Sequence, residues 1–168
     1  MTPQLIVAHL TSKLEKRSSE GFTLIELLVV VIILGIMSAT ALPSLIGQVG
    51  KAREAEAREA LSSIGQAQQA YFFEKATFAD DITKLEVAVR GNYYNFPNPT
   101  TIDADKVKHQ AIAQNAADNA TRNYSMGIYR NSSTREFSIV LCQSTSIGGT
   151  ALAPDINTDP CSSGTQVQ

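Results

Sequence analysis

Between Phe22 and Gly50 the chain runs for 29 residues with one charge, Glu26. Leu24 to Pro43 supplies 20 consecutive residues in which Glu26 is the sole ionisable group, the length a helix needs to cross a bilayer core of about 30 Å. A secretory h-region is shorter, about 7–15 residues. A buried core helix of this character would need more apolar protein around it than the polar residues 51–168 supply. The expectation is one transmembrane helix. The residues before it carry Lys13, Lys16 and Arg17 against Glu15 and Glu20, and a basic flank tends to stay on the cytoplasmic side. The expected organisation is a leader (1–21), an apolar helix (22–50) and a polar body (51–168) across the membrane.

Glu26 is the informative exception. An ionisable group in a spanning helix costs about 2.5–3.5 kcal/mol at mid-membrane and less near the interface, so its presence there points to a role. On the first turn it suits the positive end of the helix dipole. A cut after Gly21 would also place the new amine of Phe22 close by, a buried cation in need of an anion. The bland rival is an acid that snorkels to the membrane edge with no partner.

The run Gly21-Phe22-Thr23-Leu24-Ile25-Glu26-Leu27-Leu28-Val29-Val30 resembles the prepilin cleavage and methylation motif of the type IV pilin family. A small residue, a fixed aromatic and a fixed intramembrane acid are joined there to a spanning helix. Residues 47–54, Gly-Gln-Val-Gly-Lys-Ala-Arg-Glu, also resemble pilins, those of cyanobacteria in particular. The close resemblance covers about 22–75. It implies that a membrane-embedded prepilin peptidase cuts between Gly21 and Phe22 and N-methylates Phe22. It implies that Gly21 is required because a side chain would crowd the peptidase. It further implies that Glu26 pairs with the Phe22 amine of a neighbouring subunit. Two buried opposite charges are costly alone and tolerable together, and such a pair penalises every wrong register.

Past Pro43 the pattern becomes one-sided. Ala57, Leu61, Ile64, Gln68 and Tyr71 step by four and three, flanked by Ala60, Ala67 and Phe72, which predicts an amphipathic continuation to about Phe73. Lys51, Arg53, Glu54, Glu56, Arg58 and Glu59 fall mostly on other faces, with Glu54–Arg58 as an i,i+4 pair. Pro43 should kink or locally break this helix. Gly35, Gly47 and Gly50 should weaken it. The sharper reading is that Pro43–Gly50 unwinds and lengthens when a filament forms or is pulled; ordinary membrane-helix flexibility is the other.

The buried face of that helix needs a partner, and few lysines border it for a membrane surface. A small antiparallel sheet from the C-terminal half is expected to cover it, giving an α+β fold: a long helix, half transmembrane and half amphipathic, packed on a sheet-containing head. Lys84–Arg90 alternates weakly, and Gly91–Thr100 is turn-rich. Residues 103–117 are expected to form a short helix capped by Asp103. Asn123–Arg130 and Glu136–Gln143 alternate as strands joined through Asn131-Ser132-Ser133-Thr134. Tyr124, Tyr129 and Phe137 read as packing residues. Cys142 and Cys161 close a loop poor in apolar residues. In an oxidising compartment a disulfide is favoured over two free thiols, and the spacing fits no zinc pattern. The family often has such a disulfide-bounded C-terminal region, exposed on the fibre surface.

Catalytic signals are missing. His9 lies in the leader, and His109 is expected alone on an exposed helix. No Gly-x-Ser-x-Gly or phosphate loop occurs. Asp155, Asn157 and Asp159 lack the spacing of a calcium loop, so a solvated turn is favoured, and no metal or cofactor is expected. The sequons at Asn119, Asn123 and Asn131 are weak motifs. Residues 22–168 hold 11 basic and 14 acidic side chains, which argues against a strong nucleic-acid ligand. The expected function is structural. The resemblance implies a precursor in the inner membrane among lipid that meets prepilin peptidase and the pilus assembly machinery. It further implies polymerisation with identical subunits into a surface filament of the kind that serves motility, adhesion or DNA uptake. The rivals are a type II secretion pseudopilin, a minor pilin with a binding role, and a membrane-anchored receptor or enzyme head.

Overall fold

The computed structural model describes residues 21–89 and 91–167. Residues 1–20, read from sequence as most of a leader and including Lys13, Lys16 and Arg17, lie outside the described residues. The first long element, α1, runs Leu24–Lys75. It keeps its helical assignment through Pro43, Gly47 and Gly50, so of the kink or break expected at Pro43 no break occurs. The chain divides into two compact units at Leu42/Pro43.

In the first unit, Leu24–Ala41 is long and apolar enough to cross a membrane by length and composition. All of its side chains are exposed. Leucine, isoleucine and valine dominate it, and in water such a surface would be held at a large hydrophobic cost.

The second unit is a helix on an antiparallel sheet. After α1 come a short 3-10 turn (Ile82–Leu85), β1 (Tyr94–Asn95), β2 (Thr101–Ile102), β3 (Lys106–Ala113), α2 (Ala116–Asn119), β4 (Tyr124–Arg130), β5 (Phe137–Gln143) and β6 (Thr165–Val167). The strand order is β1-β3-β4-β5-β6, with β2 pairing on β3 beside β1. β4 and β5 form the expected hairpin, in the register Tyr124↔Gln143 to Arg130↔Phe137.

Ala57, Leu61, Ile64 and Phe72 from α1 pack on Val107 and Ala111 of β3 and Tyr124, Met126 and Ile128 of β4. The opposite face of the sheet carries a second cluster, Tyr129, Val140, Cys142 and Ala153. That explains why six consecutive residues of β4 are buried: α1 covers one face and the Cys142–Cys161 loop covers the other. Tyr71, placed in the apolar stripe, is only half-buried, and Phe72 takes the core position.

The 103–117 segment corrects the sequence reading. Lys106–Ala113 is a central strand that alternates half-buried and buried up to Ala111, and only Ala116–Asn119 is helical. Ala, Gln and Lys lend this stretch a helical composition, but the alternation of Val107, His109 and Ala111 satisfies the open edge of β4, and pairing overrides propensity. His109 is therefore not on an exposed helix; it is fully buried on the helix-facing side.

Candidate functional site

The start of α1 is built as a capping box. Thr23 stands at the N-cap and Glu26 three residues on. The Glu26 carboxylate accepts from the Thr23 amide at 2.9 Å and from the Thr23 hydroxyl at 2.7 Å, while the Glu26 amide donates to the Thr23 hydroxyl oxygen at 3.3 Å. This arrangement directs the acid back toward residue 22. The Thr-x-x-Glu spacing was visible in the sequence, masked there by the attention that Gly21, Phe22 and Glu26 draw.

Around this box the surface is apolar. Phe22 is 80% exposed and Leu24 90%. Leu27, Leu28 and each residue from Val29 to Leu34 stay about half exposed. A continuous apolar surface of this length marks an association site or a lipid contact.

The glycines separate by environment. A Cβ at Gly21, Gly35 or Gly47 would meet nothing within 4 Å, whereas one at Gly50 would lie 2.6 Å from the Ala120 carbonyl oxygen. Among the described residues, no packing contact demands glycine at position 21. At position 50 the helix must let the turn after α2 approach, and Arg53 donates to the neighbouring Asn119 carbonyl at 2.9 Å. Pro43 and Gly47 lie within α1.

Two buried polar groups on α1 fix the helix to the sheet. Glu54, read from sequence as a surface charge paired with Arg58, is buried. Its carboxylate accepts from the Arg122 amide at 3.1 Å, the Tyr124 hydroxyl at 3.1 Å and the Gln143 amide at 3.1 Å. Burial, and then the charge of Glu54, push the Tyr124 phenol up to about 12. Two residues on, Glu56 accepts from the amides of Tyr93 and Tyr94. Gln68 bonds both ways with Ala79 and donates to His109 Nε2 at 3.0 Å. Because Nε2 accepts from Gln68, the neutral ring carries its proton on Nδ1, which has no partner among the described residues. Burial pulls its pKa down to about 4.

Cys142 and Cys161 form a disulfide, with Cα atoms 5.8 Å apart. The loop it closes is also pinned from the sheet. Tyr129 donates to the Pro154 carbonyl, Lys108 to the Ala153 carbonyl at 3.0 Å, and Asn123 to the Gly148 and Gly149 carbonyls. Gly127 leaves room for the Tyr129 ring, which a Cβ there would strike. Lys108 also reaches Asp155 at 2.8 Å and, with Lys106, holds its carboxyl below the usual range. Asn157 donates to the Ser138 hydroxyl. Asp155 and Asn157 thus have different partners, Lys108 and Ser138. Among the sequons, the Asn123 amide is spent on the loop, while Asn131 caps the exposed β4–β5 turn.

Comparison with known proteins gives the same two regions. Residues 16–42 match the prokaryotic N-terminal methylation motif, and residues 54–167 match the type IV pilin-like G and H family. The chain is similar to the type IV major pilin protein PilA of Myxococcus xanthus, 38% identical over 79 residues that make up 46% of this chain and 36% of that protein. It is similar to the type II secretion system core protein G of Pseudomonas aeruginosa, 30% identical over 92 residues, 55% of this chain and 64% of that one. It is also similar to the fimbrial protein EcpC of Eikenella corrodens, 34% identical over 82 residues, 48% of this chain and 54% of that one. The chain therefore spans less than two thirds of the length of each of these relatives. The family match over residues 54–167 takes in well over half of the sequence, and with an apolar helix leading into a small antiparallel sheet, the chain belongs to the type IV pilin-like family.

Proposed function

We propose that this chain is a structural subunit of a type IV pilus. Prepilin peptidase removes residues 1–21 by cutting between Gly21 and Phe22 and methylates the new amine of Phe22. Residues 22–50 then leave the lipid and bundle with the same segment of identical subunits, and residues 51–168 form the outer head. The observation that carries this reading is the Gly21-Phe22 junction set directly before an exposed apolar helix whose sole charge, Glu26, is directed back toward residue 22. Apolar surface that faced lipid comes to face copies of itself. One surface meeting a different surface gives an open helical filament. Glu26 supplies the anion for the Phe22 amine of the adjoining subunit and so sets the stagger. The Pro43–Gly50 segment supplies the extensible part of the helix. The inner-membrane assembly machinery drives insertion into the fibre base. No enzymatic step resides in this chain; the work is mechanical, in motility or adhesion.

A secretion pseudopilus is the second reading, favoured by the similarity to the Pseudomonas core protein G. The disulfide-closed loop, pinned through Lys108 and Tyr129, supports the pilus reading over it.

Intact mass of fibres sheared from cells tests the assignment. The expected mass is that of residues 22–168 with one added methyl group and one disulfide. Gly21→Leu should accumulate uncleaved precursor. A mature N-terminus before residue 22, or fibres without this chain, would refute it.

A further inference from the structure

The head carries three Asn-x-Ser/Thr sequons: Asn119-Ala120-Thr121, Asn123-Tyr124-Ser125 and Asn131-Ser132-Ser133. Transfer of a sugar to such a motif needs two groups within reach of an enzyme. The amide nitrogen of the first residue is the acceptor, and the hydroxyl of the third is the group recognised. Folding withdraws both groups in the first two motifs. Asn119 Nδ2 donates to the Gln114 carbonyl at 2.8 Å, and Thr121 is fully buried. Asn123 Nδ2 donates to the carbonyls of Gly148 and Gly149. Ser125 is buried too, and its hydroxyl donates to the His109 carbonyl and accepts from the Ala153 amide.

The third motif is presented instead. It opens the turn between β4 and β5, where every residue from Asn131 to Glu136 is exposed. The turn is closed by main-chain bonds: the Asn131 amide donates to the Glu136 carbonyl at 2.9 Å, and the Arg135 amide donates to the Asn131 carbonyl at 2.7 Å. Asn131 Oδ1 accepts from the amides of Ser133 at 2.9 Å and Thr134 at 3.2 Å, which holds the side chain in place. Its Nδ2 and the Ser133 hydroxyl make no hydrogen bond among the described residues. We infer that Asn131 is a glycosylation site that takes its sugar from a glycosyl diphosphate donor. In that step the bond from Nδ2 to sugar C1 forms and the bond from C1 to the diphosphate oxygen breaks. The diphosphate leaves with the electron pair, and one Nδ2 proton passes to a base of the transferase. Nucleotide sugars and lipid-linked oligosaccharides both offer this chemistry. The inference goes beyond the filament reading and does not depend on it, because the turn is exposed in the head of a single chain.

Peptide mass spectrometry of the full chain, purified from the membranes of its native cells, tests the site. The peptide that contains Asn131 should carry a carbohydrate mass in addition to its sequence mass, and those containing Asn119 and Asn123 should not. Asn131→Asp keeps an Oδ1 acceptor for the Ser133 and Thr134 amides, and so the turn, but removes the acceptor nitrogen; the added mass should vanish. Ser133→Ala should lower the glycosylated fraction about tenfold or more, since a site built to bond a hydroxyl rejects the analogue without one. Ser133→Thr should retain the sugar. An increment of a single sugar would identify a nucleotide-sugar donor and a larger one a lipid-linked oligosaccharide, and either supports the site. A wild-type chain with Asn131 unmodified would overturn the inference. So would an added mass that survives in Asn131→Asp, which would place the sugar on a neighbouring hydroxyl, or full occupancy in Ser133→Ala. Fibres that lack this chain would refute the filament reading and leave this measurement standing, because it is made on the membrane fraction.

Discussion

The Thr23 hydroxyl donates to the Glu26 carboxylate at 2.7 Å, and the Thr23 amide joins it at 2.9 Å. The one acid of the apolar helix is thus oriented within its own chain. Loss of an N-cap hydroxyl costs about 1 kcal/mol and frays the first turn. Thr23→Ala is expected to insert into the membrane normally and to give several-fold fewer fibres. Glu26→Ala should insert and give none. Comparing the chain in membranes with the chain in the sheared fraction checks both, and normal fibre yield from Glu26→Ala would remove the acid from assembly altogether.

Glu54 accepts three hydrogen bonds from β4, β5 and the turn before them. Glu54→Ala would take the acceptor from the buried Tyr124 hydroxyl and from the half-buried Arg122 and Gln143 amides. A stranded buried donor costs about 1–3 kcal/mol, so the head should lose about 2 kcal/mol. Glu54→Gln keeps an acceptor and should lose less. Denaturant melts of the full chain in detergent measure the difference; an Ala variant as stable as wild type would show that Glu54 is not a clamp.

His109 sets an acid limit on stability. Its folded pKa, about 4, lies below the unfolded value of 6.5, so the unfolded chain takes up the proton first. The contribution is intact above pH 6.5, erodes as pH falls from 6.5 to 4, and levels off below. A shift of that size corresponds to about 3 kcal/mol. His109→Gln should flatten this part of the pH profile of thermal unfolding. A wild-type profile already flat between pH 6.5 and 4 would contradict the buried neutral ring.

Gly47 and Gly50 should respond oppositely to alanine. At Gly47 the side chain finds open space, and the gain in helix propensity is about 1 kcal/mol. At Gly50 the Cβ would sit 2.6 Å from the Ala120 carbonyl oxygen, so the head must shift or loosen. A lower Tm for Gly50→Ala and an equal or higher one for Gly47→Ala is the expected outcome. Equal effects would mean that both act through helix flexibility alone.

The apolar helix, its amphipathic continuation and the β4–β5 hairpin were legible because each carries a strong period over many residues. The disulfide was legible from compartment and loop composition. β3 was not, because Lys106–Ala113 mixes Val107 and Ile112 with helix-forming Ala, Gln and Lys, and strand pairing is a long-range effect. Glu54 and Gln68 were not recognised as clamps for a related reason: a polar residue on a helix announces itself as buried only when its partners, here Tyr124, Gln143 and His109, are placed by the sheet. The two-residue strands at Tyr94–Asn95 and Thr101–Ile102 are too short to carry any period.

The loop between Cys142 and Cys161 is anchored largely through its own main chain. Tyr129, Lys108 and Asn123 grip the carbonyls of Pro154, Ala153, Gly148 and Gly149. Backbone oxygens are common to every amino acid. Outward positions such as Ile147, Leu152 and Ile156 can therefore be exchanged with the loop's path preserved. The side chains displayed by this loop can diverge widely while the scaffold beneath them stays the same.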